Sequence, residues 1–240
     1  MASFWEHIQV DGSSLDVYVS VPDGLGPFPA VVISHHGGGV DQFIQETTDR
    51  LSGEGYVVAA PNFFHRITDA MLADGSRRIQ HLQDRLLVQD IDATVGFLRG
   101  HPSVQGQPIG VTGFCLGGRT TFLAAASTRH FQAAVPYYGG NLKVPFGDAE
   151  KPPFQLADEI NCPVLFHFGA VDTNPSQGDM AELDAELTRL GVDHQFHTYQ
   201  GADHAFMDYT AARYNTAAAE LSWPRTLEFF AAHLKTGTKH

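Results

Sequence analysis

At 240 residues and 43% hydrophobic content, the chain is long enough to bury a full-sized core, and one globular domain is expected over 1–240. Lys and Arg number 15 against 27 Asp and Glu, and the resulting formal charge of -12 repels phosphate backbones and anionic bilayers, so neither nucleic acid nor membrane is an expected partner. No basic segment leading into an apolar stretch opens the chain, and no apolar run reaches bilayer length; the expectation is a soluble, cytoplasmic monomer or small homo-oligomer.

In chain order, a β-rich run at 15–21 (LDVYVSV) precedes a short apolar strand at 30–34 (AVVIS), a helical pattern over 42–53 and a second apolar strand at 56–60. Residues 62–77 have no clear periodicity and read as a loop at a carboxyl strand end, a candidate wall of a site. A long helical pattern follows over about 78–98, then a strand at 109–112, a helix at 117–127, strands at 133–138 and 164–168, and helices at 178–190 and 211–234. The middle strands are continuous apolar runs, as expected of parallel strands covered on both faces. The alternation predicts an α/β fold: a mostly parallel, doubly wound sheet in three layers.

Chemistry concentrates at GFCLGG, residues 113–118. Small residues two before and two after Cys115 suit a sharp strand-to-helix turn that lifts the central side chain above the sheet, and the N-terminus of the following helix favours a thiolate there. The same stretch also fits a small buried cysteine between packing glycines. Downstream, Asp172 stands just past the strand CPVLFHFG, and His204 stands in the loop GADHAF, giving the order nucleophile, acid, histidine. Asp172 could instead be a turn residue, and Asp203 competes with it as the acid. Oxyanion donors are expected at the Leu116 N–H and in the loop HHGGG after the early strand, which lacks the lysine of a phosphate loop. With only two cysteines, Cys115 and Cys162, a disulfide framework is not expected, and Cys162 reads as inert packing.

These motifs, together with Tyr137-Tyr138-Gly139, resemble the dienelactone hydrolase family of α/β-hydrolases over nearly the whole chain. The resemblance implies the α/β-hydrolase fold and a Cys-His-Asp triad at Cys115, His204 and Asp172, with backbone donors at Gly37 and Leu116 and neither metal nor organic cofactor. It further implies an esterase acting on a small-molecule ester or lactone, with His36, Arg78 (or Arg77), Tyr137 and Phe206 as candidate substrate contacts. Two positions depart from the family pattern: His36 stands where a glutamate lies near the thiol, and Asp208 stands where an arginine holds the substrate carboxylate. An acid there should repel an anionic lactone. The thiol nucleophile favours activated esters and lactones, because a thiolate leaves a tetrahedral intermediate more readily than an alkoxide does. The alternative is a non-catalytic, redox-sensing thiol on the same fold.

Overall fold

A computed structural model describes residues 1–235. Eight strands form one sheet in the order β1-β2-β4-β3-β5-β6-β7-β8. They are β1 (Ala2–Val10), β2 (Ser13–Val21), β3 (Ala30–Ser34), β4 (Val57–Pro61), β5 (Ile109–Phe114), β6 (Ala133–Tyr137), β7 (Val164–Gly169) and β8 (His194–Tyr199). The β1-β2 and β2-β4 pairs are antiparallel and every other pair is parallel.

Five helices cover the sheet: α1 (Gln42–Gly53), α2 (Asp84–Gly100), α3 (Leu116–Ser127), α4 (Gln177–Leu190) and α5 (Thr216–Leu234). Along β3, Ala30 and Val32 turn to one apolar layer with Leu87, Ile91, Phe122 and Leu183 of α2, α3 and α4. Val31 and Ile33 turn to the other, with Ile44, Trp223 and Phe230 of α1 and α5. Period-two alternation thus feeds two buried faces at once, which is why the strand reads as unbroken apolar sequence.

Neighbouring β3 on either side are β4 and β5, so the chain's winding reverses there. In open α/β sheets the crevice outside the carboxyl ends of such strands is where ligands bind. The HHGGG loop leaves β3 at this point, and the Cys115 turn leaves β5 beside it.

The elements depart from the sequence expectations at the margins. Strands β1 and β8 were not expected. The first exposes Phe4 and Trp5, and the second is a half-polar edge, so neither carries an apolar run. Residues 78–81 form a separate 3-10 turn, because Leu82 and Gln83 are extended and α2 starts only at Asp84. Helix α5 likewise starts at Thr216, where Asn215 caps the Ala218 N–H, and the preceding residues form turns. No helix among the described residues is long and apolar enough to cross a membrane.

Candidate active site

Cys115 sits between β5 and α3 with φ 58° and ψ -114°, a conformation that non-glycine residues rarely adopt. Packing around the turn enforces it. A Cβ on Gly113 would lie 2.3 Å from the Gly117 carbonyl oxygen, and one on Gly117 would lie 1.9 Å from that of Ser34. The backbone therefore passes where no side chain fits, and the thiol is held at the α3 N-terminus.

Asp172 follows β7 and is almost fully buried; its Oδ1 accepts from the Asn174 N–H at 2.8 Å, and its Oδ2 lies 2.9 Å from His204 Nδ1. That contact leaves Nε2 of His204 for Cys115. Asp203 does not take this place: it accepts from the His204 backbone N–H and has Arg213 nearby at 3.9 Å. Strained backbone flanks the histidine as well, with Ala205 at φ 62°, and the Tyr138 ring packs edge-on against the imidazole at 5.1 Å.

Burial disfavours charge on His204, but the Asp172 carboxylate and the Cys115 sulfur outweigh it, and its pKa is raised to about 10. For Cys115 burial pushes the thiol up, and the interactions with His204 and the backbone N–H groups of Leu116 and Gly37 more than reverse this, so the net direction is down. Both shifts favour a thiolate beside an imidazolium.

The HHGGG loop is shaped by its first histidine. His35 is fully buried, its Nδ1 lies 2.6 Å from the His36 carbonyl oxygen, and its Nε2 accepts from the Phe63 N–H at 3.0 Å. This pairing requires the neutral tautomer with the proton on Nδ1, and burial accordingly lowers the His35 pKa to about 4. His35 thereby fixes the turn that presents the Gly37 N–H, a role the sequence did not reveal.

A cleft of about 80 Å³ opens beside the thiol, lined by Ile79, Cys115, Leu116, Arg119, Gly140, Asn141, Phe146, Asn174 and His204. Of the expected substrate contacts, none is in this lining. His36 turns away, with Nε2 2.7 Å from Asp41 and Nδ1 3.9 Å from Asp208. Asp208 is itself buried and accepts from Thr210, so its charge faces His36 rather than the cleft. Arg78 is exposed and lies over the Phe64 ring, while its neighbour Ile79 points into the cleft. Tyr137 is fully buried with its hydroxyl 2.5 Å from Thr226 Oγ1, and Phe206 is buried against Tyr138 and Tyr199.

Arg119, unremarked in the sequence, is the one arginine in the cleft wall. It is committed elsewhere: its guanidinium forks onto Asp84 at 2.6 and 3.0 Å, donates to the carbonyls of Asn141 and Val144, and stacks 3.6 Å over the Phe146 ring. No lysine lines the cleft. The sequence separation of Arg119 from Asp84 hid this pair.

Comparisons with known proteins bear on the family of the chain. A carboxymethylenebutenolidase of Rhodococcus opacus is 32% identical over 231 residues, spanning 92% of this chain and 88% of its own. A Synechocystis sp. relative assigned as a carboxymethylenebutenolidase is 28% identical over 238 residues, spanning 96% of this chain and 94% of its own. A crystal structure from Klebsiella pneumoniae subsp. pneumoniae MGH 78578, assigned as a dienelactone hydrolase, superposes with a TM-score of 0.86 at 27% identity, covering 96% of this chain and 99% of that one. The sequence model of the dienelactone hydrolase family matches residues 15–234, nearly the whole of the described structure, and so the elbow, the sheet order and the relatives converge: the chain belongs to the dienelactone hydrolase family.

Proposed function

We propose that the chain hydrolyses neutral, activated carboxylic esters or lactones through a covalent thioester on Cys115. The observation that carries this reading is the contact of Asp172 Oδ2 with His204 Nδ1 at 2.9 Å, which orients the imidazole toward a thiol held on a strained turn. The thiolate attacks the carbonyl carbon, and the developing oxyanion takes the Leu116 and Gly37 N–H groups, which in the resting site donate toward the sulfur itself. His204 gives its proton to the leaving oxygen as the C–O bond breaks, leaving the acyl group on sulfur. Water then loses a proton to His204 and attacks the thioester, the carbon-sulfur bond breaks, and the acid departs with thiolate and imidazolium restored.

A sulfur leaving group competes with the substrate's own oxygen in the first tetrahedral intermediate. Enol and phenol oxygens depart well and drive the reaction forward, whereas simple alkoxides let it revert. Among cleft-lining residues Arg119 is spent on Asp84 and the His204 imidazolium on Asp172 and the Cys115 thiolate, which leaves an anionic substrate group without an unpaired counter-charge and favours a neutral one.

Turnover of p-nitrophenyl acetate tests the reading. The expected result is a burst of p-nitrophenol with an acetyl mass increment on Cys115, both absent in Cys115→Ala. Equal turnover by that variant would refute it. Comparison of neutral aryl esters with an anionic dienelactone tests the charge preference, and faster turnover of the anion would overturn it.

A further inference from the structure

A second cavity adjoins the cleft and has no part in the chemistry described above. It measures about 140 Å³ and shares Gly140, Asn141 and Asn174 with the cleft, so the two chambers lie on either side of one short wall. Its floor is apolar: Leu142, Met180 and Leu183 are all at most 8% exposed, and Phe154 closes a side. The cation at its rim is taken up by two carboxylates, Lys143 Nζ lying 2.5 Å from Glu182 and 3.4 Å from Asp179, and Asp179 in turn accepts from Ser176 at the start of α4. The wall is closed, since the Asn174 Oδ1 accepts from the Asn141 N–H at 3.0 Å and a Cβ on Gly140 would meet the same oxygen at 2.2 Å, so an arm enters the chamber over the wall and not through it.

Volumes indicate what this chamber is for. The cleft, at about 80 Å³, holds little beyond the reacting ester group, so the remainder of any larger substrate needs room elsewhere. The adjoining space is close to the roughly 150 Å³ of an apolar cavity that accepts one benzene ring. Its one rim cation, Lys143, is held by two carboxylates, so the chamber offers an anionic group no unpaired partner, and desolvating such a group there would go uncompensated.

We propose that the chamber behind Gly140, Asn141 and Asn174 is a specificity subsite that receives one neutral, apolar arm of the substrate, about the size of a single aromatic ring or a six-carbon chain. The proposal rests on the hydrolase reading of Cys115 and adds the substrate class to it. Met180 and Leu183 set the depth of the subsite, and Val144, 48% exposed at the rim, stands at its mouth.

Two ester series on the intact protein test it: p-nitrophenyl esters of lengthening acyl chains, and enol acetates of lengthening enols. In one series kcat/KM is expected to rise roughly three- to fourfold per methylene, to a plateau near about six carbons. An arm of the same length ending in a carboxylate should fall at least tenfold below its neutral counterpart. Val144→Trp plugs the mouth from an exposed position, and Met180→Phe fills the floor; each should flatten the rise at least tenfold while turnover of the shortest ester of the responding series stays within about twofold. Acetate turnover with no length dependence in either series, or a length dependence that survives both substitutions, overturns the subsite alone. Absence of acetate turnover in the unaltered protein overturns the parent reading and the subsite with it.

Discussion

Replacing Arg119 by Met is expected to destabilise the protein strongly without touching a reacting atom. The guanidinium is 1% exposed and Asp84 is 4% exposed, so solvent cannot replace the lost partner. After the substitution the Asp84 carboxylate would keep only the N–H of Phe146, at 3.0 Å, and its place in the first turn of α2. The carbonyls of Asn141 and Val144 would lose donors at 3.3 and 2.5 Å, and the face of Phe146 would lose its stacking cation. Breaking a buried pair by removing one partner costs about 3–5 kcal/mol, much of it the penalty of the remaining buried charge. For a chain of this size that corresponds to a fall in Tm of roughly 6–20 °C.

Urea unfolding checks this through the midpoint at unchanged slope. The double variant Asp84→Asn with Arg119→Met removes the stranded charge and should recover more than half of the loss. Arg119→Lys should fall between, because an ammonium is a point donor and cannot fork onto both carboxylate oxygens. A cost below about 1 kcal/mol for Arg119→Met, additive with that of Asp84→Asn, would show that the pair is not electrostatically isolated and would refute the reasoning.

Four further outcomes are expected. Asp172→Asn keeps an acceptor for the Asn174 N–H but favours the wrong His204 tautomer, so kcat should drop roughly 10³- to 10⁴-fold with the fold intact, measured by steady-state kinetics beside thermal unfolding. The Cys115 pKa is lowered, so the thiolate persists above that lowered value and is lost on acidification; iodoacetamide alkylation and absorbance near the thiolate band should titrate below the ordinary thiol range of about 8.5, and His204→Ala should move the titration upward. The raised His204 pKa of about 10 places the alkaline fall of kcat/KM there, where the proton for the leaving oxygen is lost. Gly117→Ala should yield no stable protein, because its Cβ would sit 1.9 Å from a backbone oxygen, whereas Gly96→Ala, exposed in α2 with nothing within 4 Å, should stabilise by about 0.5–1 kcal/mol in calorimetry.

The contrast between those two glycines explains what could be read from the sequence. At residues 113–118 the backbone itself is the constraint: strand, turn and helix approach so closely that only glycine fits beside Cys115, and a local string of letters carries the whole requirement. Asp172 is legible because it closely follows the apolar strand β7, and His204 because the string GADHAF sets it in a loop ahead of the last helix. Substrate contacts have no such local code. Arg78 and Ile79 are neighbours on one 3-10 turn, and the turn's orientation decides that the apolar one enters the cleft. Tyr137 lies at the end of β6, where the pleat carries its hydroxyl to Thr226 of α5 rather than to the thiol. Arg119 meets Asp84 across 35 residues, and Asn174 meets Asn141 across 33, so these walls exist only once the sheet order has brought the loops together.

The turn that presents Cys115 is therefore specified by backbone geometry, and the walls of the cleft and of the chamber beside it are specified by long-range side-chain pairs. This division has a physical consequence. Substitutions at Leu142, Val144 or Met180 can reshape the second chamber while the turn at Cys115, braced by Gly113 and Gly117 against β3 and α3, stays as it is. Substitutions at His36, within the HHGGG loop, or at Asp208, behind it, act where Asp41 and Thr210 already take up their hydrogen bonds, and reach the thiol by moving the Gly37 N–H. The departures from the family pattern at these two positions thus bear on the loop that carries the Gly37 N–H, and the proposed preference for a neutral substrate rests instead on the commitment of Arg119 to Asp84.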